Sequence, residues 1–381
     1  MRIGLDARWI FQELSGIGTY TTELIREFAR LETGHEFVLF FRDPAIRDRV
    51  WSAAGLDGHP RFRAHMVPWG VFSPWSQLRL PAVLRRLEID IFHSPNYMIP
   101  FGAFPRGKPH AVKCVATVHD LIPLLFPEQT PRALKTRLFP LFKRVMFEVG
   151  ARANAILTVS ETSRADILRS LRIPREREGR VRAVYNGVAP EYRPASRRPA
   201  PHKTILYVGR FDPYKNVEGL LEAFAILRAR GGPDARLKIV GAPDPRYPEA
   251  TRRARELGLE GLVEWAGYAG GADLVDAYQQ ADVFALLSRY EGFGLTVLEA
   301  MACGTPVVCS DIGALREVVG DAVLIVDGAD PAAAAAALGR VLTEPGVAAK
   351  LGRKGLARAR EFTWARTAAE TLKVYEEAAR S

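Results

Sequence analysis

The sequence predicts an α/β protein of two doubly wound parallel-sheet domains, and three observations carry that prediction. At 381 residues the chain is too long for one ordinary hydrophobic core. Short apolar runs alternate with stretches of helical period along both halves, as they do when helices cover both faces of a parallel sheet. Between Pro190 and His202 that alternation stops in a segment holding Pro190, Pro194, Pro199 and Pro201, then restarts, which places an interdomain linker there.

In chain order, the first strand is Arg2 to Leu5, followed by Asp6-Ala7-Arg8 and a glycine loop ending in Ser15-Gly16-Ile17-Gly18-Thr19-Tyr20. Helical periodicity begins at Thr22 and runs to Leu31. Apolar runs at Glu36–Phe41, Ile89–His93, Val112–His119 and Ala155–Ser160 read as further strands. Past the linker the strands are Thr204–Gly209, Leu237–Gly241, Val263–Ala266, Val283–Leu287, Pro306–Cys309 and Ala322–Val326, with helices at Val217–Ala229, Tyr247–Leu257 and Ala272–Gln279. The alanine tract Ala332–Ala337 follows Asp330-Pro331 and reads as a capped helix. Thr363 to Ala379 forms a last helix with no strand after it, so it must pack elsewhere. The expected domains are 1–193, joined by the terminal helix 363–381, and 203–362.

Composition narrows the class. With 48% hydrophobic and 25% charged residues the chain reads as a soluble globular protein. No apolar run reaches the roughly 18 residues of a membrane span, and no signal-peptide core follows Met1, so the expected compartment is the cytoplasm. Cys114, Cys303 and Cys309 have neither paired spacing nor a histidine cluster, which argues against a disulfide framework or zinc site. Charge is uneven: residues 1–200 hold 31 Lys and Arg against 19 Asp and Glu, whereas 201–381 hold 22 against 24. A basic first half suits an anionic surface or acceptor, and equally a solvated Arg-rich surface.

The chemistry concentrates in the second half. Glu291 and Glu299 lie eight apart across Glu291-Gly292-Phe293-Gly294-Leu295-Thr296-Val297-Leu298-Glu299, directly after one strand and opening a helix. Gly292 and Gly294 let backbone amides approach a ligand, and a helix N-terminus favours an anion such as a diphosphate. Glu291 could accept hydrogen bonds from sugar hydroxyls, and Glu299 from ribose hydroxyls. Carboxylates would repel a diphosphate unless cations intervene, and Arg210 and Lys215 in Gly209-Arg210-Phe211-Asp212-Pro213-Tyr214-Lys215-Asn216 supply them. His119, with Asp120, ends a strand at the carboxyl edge where open α/β sheets bind ligands.

These motifs, with Ala302-Cys303-Gly304-Thr305-Pro306 after them and SGIGTY, FHSPNY, TVHDL, TVS and YNGV in the first half, resemble glycosyltransferase family 4 along nearly the whole chain. The resemblance implies the GT-B architecture, two facing Rossmann-like domains with the C-terminal helix crossing back to the first. It implies that Arg210 and Lys215 hold the donor diphosphate, Glu299 the ribose, and Glu291, Gly292 and the Phe293, Gly294 and Leu295 backbone the hexose. His119 would face the transferring sugar, and Gly16 with Gly18 would let the first domain approach the phosphates. It further implies retention of anomeric configuration with neither cofactor nor metal. The set MRIGLDAR, GIGTY, HSPNY and THDLIP resembles mannosyltransferases of polysaccharide assembly, which points to GDP-mannose as donor and a glycan or lipid-linked glycan as acceptor.

Rivals are a UDP-glucose or UDP-N-acetylglucosamine enzyme and a nucleotide-sugar-binding protein without turnover. A Rossmann oxidoreductase fails because Thr21 stands where a dinucleotide fingerprint needs its third glycine. Nucleic-acid binding lacks any recognisable module. Two segments look apt for an acceptor or a membrane: Trp69, Phe72 and Trp75, read as a loop that could stack on sugars, and Pro131–Arg144, a basic amphipathic stretch kinked by Pro140 that could make peripheral membrane contact.

Overall fold

The computed structural model describes residues 1–13, 15–107, 111–130, 138–242 and 244–380. The chain divides into two compact units, one of Met1–Leu121, Leu138–Gly187 and Thr363–Ser381, the other of Ile122–Arg137 and Val188–Phe362. The linker residues 188–202 and the described residues 122–130 thus cluster with the second unit, although the sequence reading kept 1–193 in the first.

The first unit is built on a seven-stranded, wholly parallel sheet: β1 (Arg2–Leu5), β2 (Glu36–Phe41), β3 (Phe62–Met66), β4 (Ile91–Ser94), β5 (Lys113–Thr117), β6 (Ala155–Thr158) and β7 (Val181–Ala183), in the order β3-β2-β1-β4-β5-β6-β7. The second has six parallel strands, β8 (Lys203–Val208), β9 (Ala235–Val240), β10 (Val263–Gly267), β11 (Val283–Leu286), β12 (Val307–Ser310) and β13 (Leu324–Val326), in the order β10-β9-β8-β11-β12-β13. Helices on both faces explain why β2, β11 and β12 read as unbroken apolar runs. Tyr20, Phe28, Phe37, Phe40 and Phe92 are fully buried in the first unit, and Tyr207, Phe224 and Phe284 in the second. At about 1.5–3 kcal/mol per buried large side chain, such clusters dominate each unit's stability.

Several local readings change. Gly16 and Gly18 are not in a loop: the helix Gly16–Arg30 already contains them, because Ser15 caps it by accepting from the Gly18 amide. Helices Pro44–Ala53 and Pro74–Arg86 and strands β3 and β7 were missed, since their periods are masked by charged or aromatic residues. Trp75 therefore belongs to a helix, behind its Ser73 cap, rather than to the loop holding Trp69 and Phe72. Pro140 opens the helix Phe139–Arg152 instead of kinking one, because the first turn needs no amide there. The remainder of that amphipathic stretch, 131–137, lies outside the described residues.

The terminal helix Trp364–Arg380 packs on the helix Gly16–Arg30 and beside β4, β5 and β6 in the first unit. The alanine helix Pro331–Thr343 is capped by Asp330, which accepts from the Ala332 and Ala333 amides. All three cysteines are buried, and burial pushes the Cys303 and Cys309 thiols up to about 12, as befits small apolar residues. Among the described residues no helix is long and apolar enough to cross a membrane.

Candidate active site

In the second sheet the strand order reverses between β8 and β11, which pair in register at Val283 with Ile205 and Phe284 with Leu206. A crevice forms outside the carboxyl ends of such a pair, because the two chains leave toward opposite sides. The two segments singled out from the sequence emerge there, 209–216 after β8 and 287–299 after β11.

The segment after β8 is held by its own polar groups. Tyr207 Oη donates to the Arg210 carbonyl at 2.7 Å, and Pro213–Lys215 make a 3₁₀ turn. Buried Asn216, with φ at 54°, donates through Nδ2 to the Leu287 carbonyl at 3.0 Å and the Gly328 carbonyl at 2.7 Å. Asn216 thereby fastens this turn to the end of β11, and the Arg289 amide donates to the Tyr214 carbonyl at 2.7 Å beside it. The result is a fixed place for Lys215. Its Nζ lies 2.7 and 3.0 Å from the two Glu291 oxygens, and Ser288 Oγ donates to Glu291 Oε1 at 2.7 Å.

Lys215 and Glu291 are only 16% and 9% exposed, so each charge depends on the other to offset its desolvation. Arg210 differs: its guanidinium is 64% exposed and pairs with Asp212 at 2.8 Å. Both cations anticipated as phosphate neutralisers are therefore already matched by carboxylates. A diphosphate reaching them would share Lys215 Nζ with Glu291 rather than meet a bare charge.

Beyond Glu291, Gly294 adopts φ 99°, a left-handed conformation natural to glycine, and starts the helix Leu295–Ala302. The Phe293 side chain is buried against Phe362 at 5.9 Å, which leaves backbone as its polar surface. The first amides of this helix point along its dipole toward any anion at the N-terminus. Glu299 sits one turn in, not beside Glu291's partners: it is buried and accepts from Tyr278 Oη at 2.8 Å. Burial raises its carboxyl to about 7, against the hydrogen bond from Tyr278 and the opposing influence of the Tyr192 phenol.

His119, Gly16 and Gly18 belong to the first unit. His119 lies two residues beyond β5, donating from Nε2 to the Pro95 carbonyl at 2.9 Å, with Tyr20 set edge-on at 4.9 Å. A carbonyl only accepts, so the proton is on Nε2. Behind it runs a buried chain that the sequence did not reveal. Tyr375 Oη meets His93 Nδ1 at 2.5 Å, His93 Nε2 meets Thr117 Oγ1 at 2.8 Å, and Thr117 Oγ1 meets Tyr20 Oη at 3.1 Å. Burial lowers His93 to about 3, so it is neutral in the folded protein. Unfolding exposes a histidine of ordinary pKa, near 6.5, that then takes up a proton. His93 therefore favours the fold above about pH 6.5, and that contribution declines as pH falls toward 3, at up to about 1.4 kcal/mol per unit. Thermal unfolding scanned from pH 7 to 4 should show a steeper acid slope for wild type than for His93→Asn; equal slopes would remove this contribution.

A second feature unseen in the sequence is the buried pair after β1. Arg8 Nε and one terminal nitrogen each lie 2.7 Å from Asp6, and Arg8 also donates to the Trp69 carbonyl and Ser76 Oγ. Two charged residues directly after the first strand were its only sequence signal. Arg8 lines a cavity of about 730 Å³ at the carboxyl ends of the first sheet, with Phe11, Phe41, Arg42, Ile46 and Phe72 around it. Phe72 is 59% exposed.

Comparison with known proteins bears on the family and the fold. The profile of Glycosyltransferase Family 4 matches residues 14–192, and that of Glycosyl transferases group 1 matches 188–358. The chain is 31% identical to the O-antigen chain mannosyltransferase B of Escherichia coli, covering 99% of this chain and 100% of that one. It is 31% identical to the MMP alpha-(1->4)-mannosyltransferase of Mycolicibacterium hassiacum, over 99% and 98%. It is 34% identical to the D-inositol 3-phosphate glycosyltransferase of Thermobispora bispora, over 96% and 90%. Among solved structures it resembles the sucrose-phosphate synthase of Thermosynechococcus elongatus, with a TM-score of 0.77 at 22% identity over 99% and 98% of the chains. It also resembles Anabaena Alr3699/HepE, solved with UDP and glucose, with a TM-score of 0.74 at 18% identity over 99% and 100%. With two doubly wound parallel-sheet units, a charged pair at the second sheet's switch point and relatives matched end to end, this chain belongs to glycosyltransferase family 4 and is a glycosyltransferase of the GT-B class.

Proposed function

We propose that the enzyme transfers mannose from GDP-mannose, with retention of configuration and without a metal ion, to a hydroxyl of a glycan or lipid-linked glycan. The observation that carries this reading is the fixed Lys215–Glu291 pair at the β8–β11 switch point. In this reading Lys215 and Arg210 stabilise the departing diphosphate, and the N-terminus of the helix Leu295–Ala302 adds its dipole. Glu291, with Gly292 and the Phe293–Leu295 backbone, accepts from and donates to the hexose, while Glu299 accepts from the ribose hydroxyls. The acceptor hydroxyl attacks the face the phosphate leaves, and a leaving-phosphate oxygen takes its proton. His119 faces the transferring sugar, and the Gly16–Gly18 turn at a helix N-terminus approaches the phosphates.

The first unit supplies the acceptor site in this reading, with Phe72 and Phe11 as stacking faces in the cavity lined by Arg8, which Asp6 holds in place. The donor assignment draws on the full-length relatives named mannosyltransferases. A peripheral contact with the inner face of the membrane belongs to the same reading: Leu138 and Leu141 are exposed next to Lys143 and Arg144.

Thermal shift and calorimetry against GDP-mannose, GDP, UDP-glucose, UDP-N-acetylglucosamine, UDP and NAD test it, because a ligand of the folded state stabilises by about 2.7 kcal/mol at a hundredfold excess over Kd. Guanine nucleotides should stabilise selectively, and EDTA should leave transfer unchanged. Stabilisation by uridine nucleotides alone would replace the donor, NAD alone would overturn the reading, and a strict magnesium requirement would overturn its metal-free chemistry.

A further inference from the structure

Glu299 is a strange residue to bury. It lies in the helix Leu295–Ala302 among Val297, Leu298, Ala300 and Met301, all buried, and an unpaired carboxylate in such a place is costly. Two tyrosines from different elements offset that cost. Tyr278, fully buried on the helix Ala272–Gln280, donates from Oη to Glu299 Oε2 at 2.8 Å. Tyr192, from the segment that enters β8, sets its ring edge-on to that of Tyr278 at 5.9 Å and lies near enough to Glu299 for each to shift the other's ionisation.

Both phenols are raised above their ordinary range, chiefly by burial and then by the neighbouring carboxylate, so both remain protonated, and Tyr278 acts as a donor. An ionised carboxylate offers about four acceptor positions. The Tyr278 phenol takes one of them and leaves room for the two that a vicinal diol demands. Tyr278, with the Tyr192 ring packed against it, fixes the rotation of the carboxyl group, so the remaining positions are held in one orientation.

We infer that Tyr192 and Tyr278 are positioning residues that orient the Glu299 carboxylate to accept the 2′- and 3′-hydroxyls of a nucleoside diphosphate. This rests on the ribose-binding role of Glu299 proposed above. The surrounding groups also set its pH response. Burial raises the Glu299 carboxyl, the two phenols lower it, Glu191 raises it again, and Cys303, one turn on, is itself held protonated by burial. Removing a phenol donor raises the carboxyl further, so the ionised, ribose-holding form is lost at higher pH than in wild type.

The experiment is calorimetry on the full-length chain from pH 6 to 9, using whichever of GDP and UDP binds tighter and its 2′,3′-dideoxy analogue. Wild type should prefer the ribose form by roughly tenfold, the size of hydrogen bonds to a charged group. Tyr278→Phe and Tyr192→Phe should each narrow that preference and move its loss to higher pH, while affinity for the dideoxy analogue, which also reports an intact fold, stays unchanged. Glu299→Ala should abolish the preference. If the tyrosine variants keep the wild-type preference and pH profile while Glu299→Ala loses both, the positioning role is wrong and the ribose role stands. If Glu299→Ala also keeps the preference, or neither nucleotide binds, the ribose reading falls and the positioning role with it.

Discussion

Lys215→Ala should lower transfer by about 10²–10³-fold, the usual cost of removing one fixed group that stabilises developing negative charge. The loss should fall on kcat more than on donor KM, because in the proposed reaction the diphosphate gains charge as the sugar departs. The same change leaves Glu291 buried with the neutral Ser288 Oγ still donating to it. That should cost up to about 3–5 kcal/mol of stability, discounted for the partial exposure of the pair. Replacing both residues, Lys215→Ala with Glu291→Ala, should recover part of the stability and none of the transfer. Chemical denaturation and single-turnover kinetics on the four proteins of this cycle separate the two effects. Wild-type turnover in Lys215→Ala would sink its assignment as the leaving-group cation.

Gly241→Ala should damage the same site from behind. A Cβ at position 241 would stand 2.1 Å from the Gly209 carbonyl oxygen, a backbone atom that cannot swing aside as a side chain does. Gly209 begins the segment carrying Arg210 and Lys215, and its amide is tied to the Val240 carbonyl at 3.0 Å. Accommodating the methyl must shift one strand end against the other, at about 1–3 kcal/mol. The expected result is a lower Tm together with at least tenfold weaker nucleotide binding, since displacement of a fixed charge is felt steeply. A Tm loss with undiminished nucleotide affinity would show that the displacement is absorbed away from Lys215.

Much of this was legible in the amino-acid order. Strands β1, β2, β4, β5, β6, β8, β9, β11 and β12 announced themselves as apolar runs because parallel strands are covered on both faces, and the edge strands β10 and β13 kept enough apolar residues to be read too. The Glu291–Glu299 spacing, the glycines between, and Arg210 with Lys215 were visible because sites at a sheet's carboxyl edge are carried on short post-strand segments. Strands β3 and β7 were not visible: β3 carries Arg63 and His65 and is mostly exposed, and β7 has only three residues. The helix start at Gly16 was hidden because two glycines argue against helix by propensity, whereas a serine cap and an amphipathic face decide for it.

The sequence by itself determined the class of fold, the family and the residue types of the candidate site, since these depend on local period and on short motifs. Only the tertiary structure decided which charges meet. Lys215 finds Glu291 across 76 positions and Tyr375 finds His93 across 282, while Glu299 turns to Tyr278 rather than to its motif partner. Such pairings are set by strand order and helix packing. They leave no periodic trace in the chain, because a hydrogen bond between distant elements constrains two residues and nothing between them.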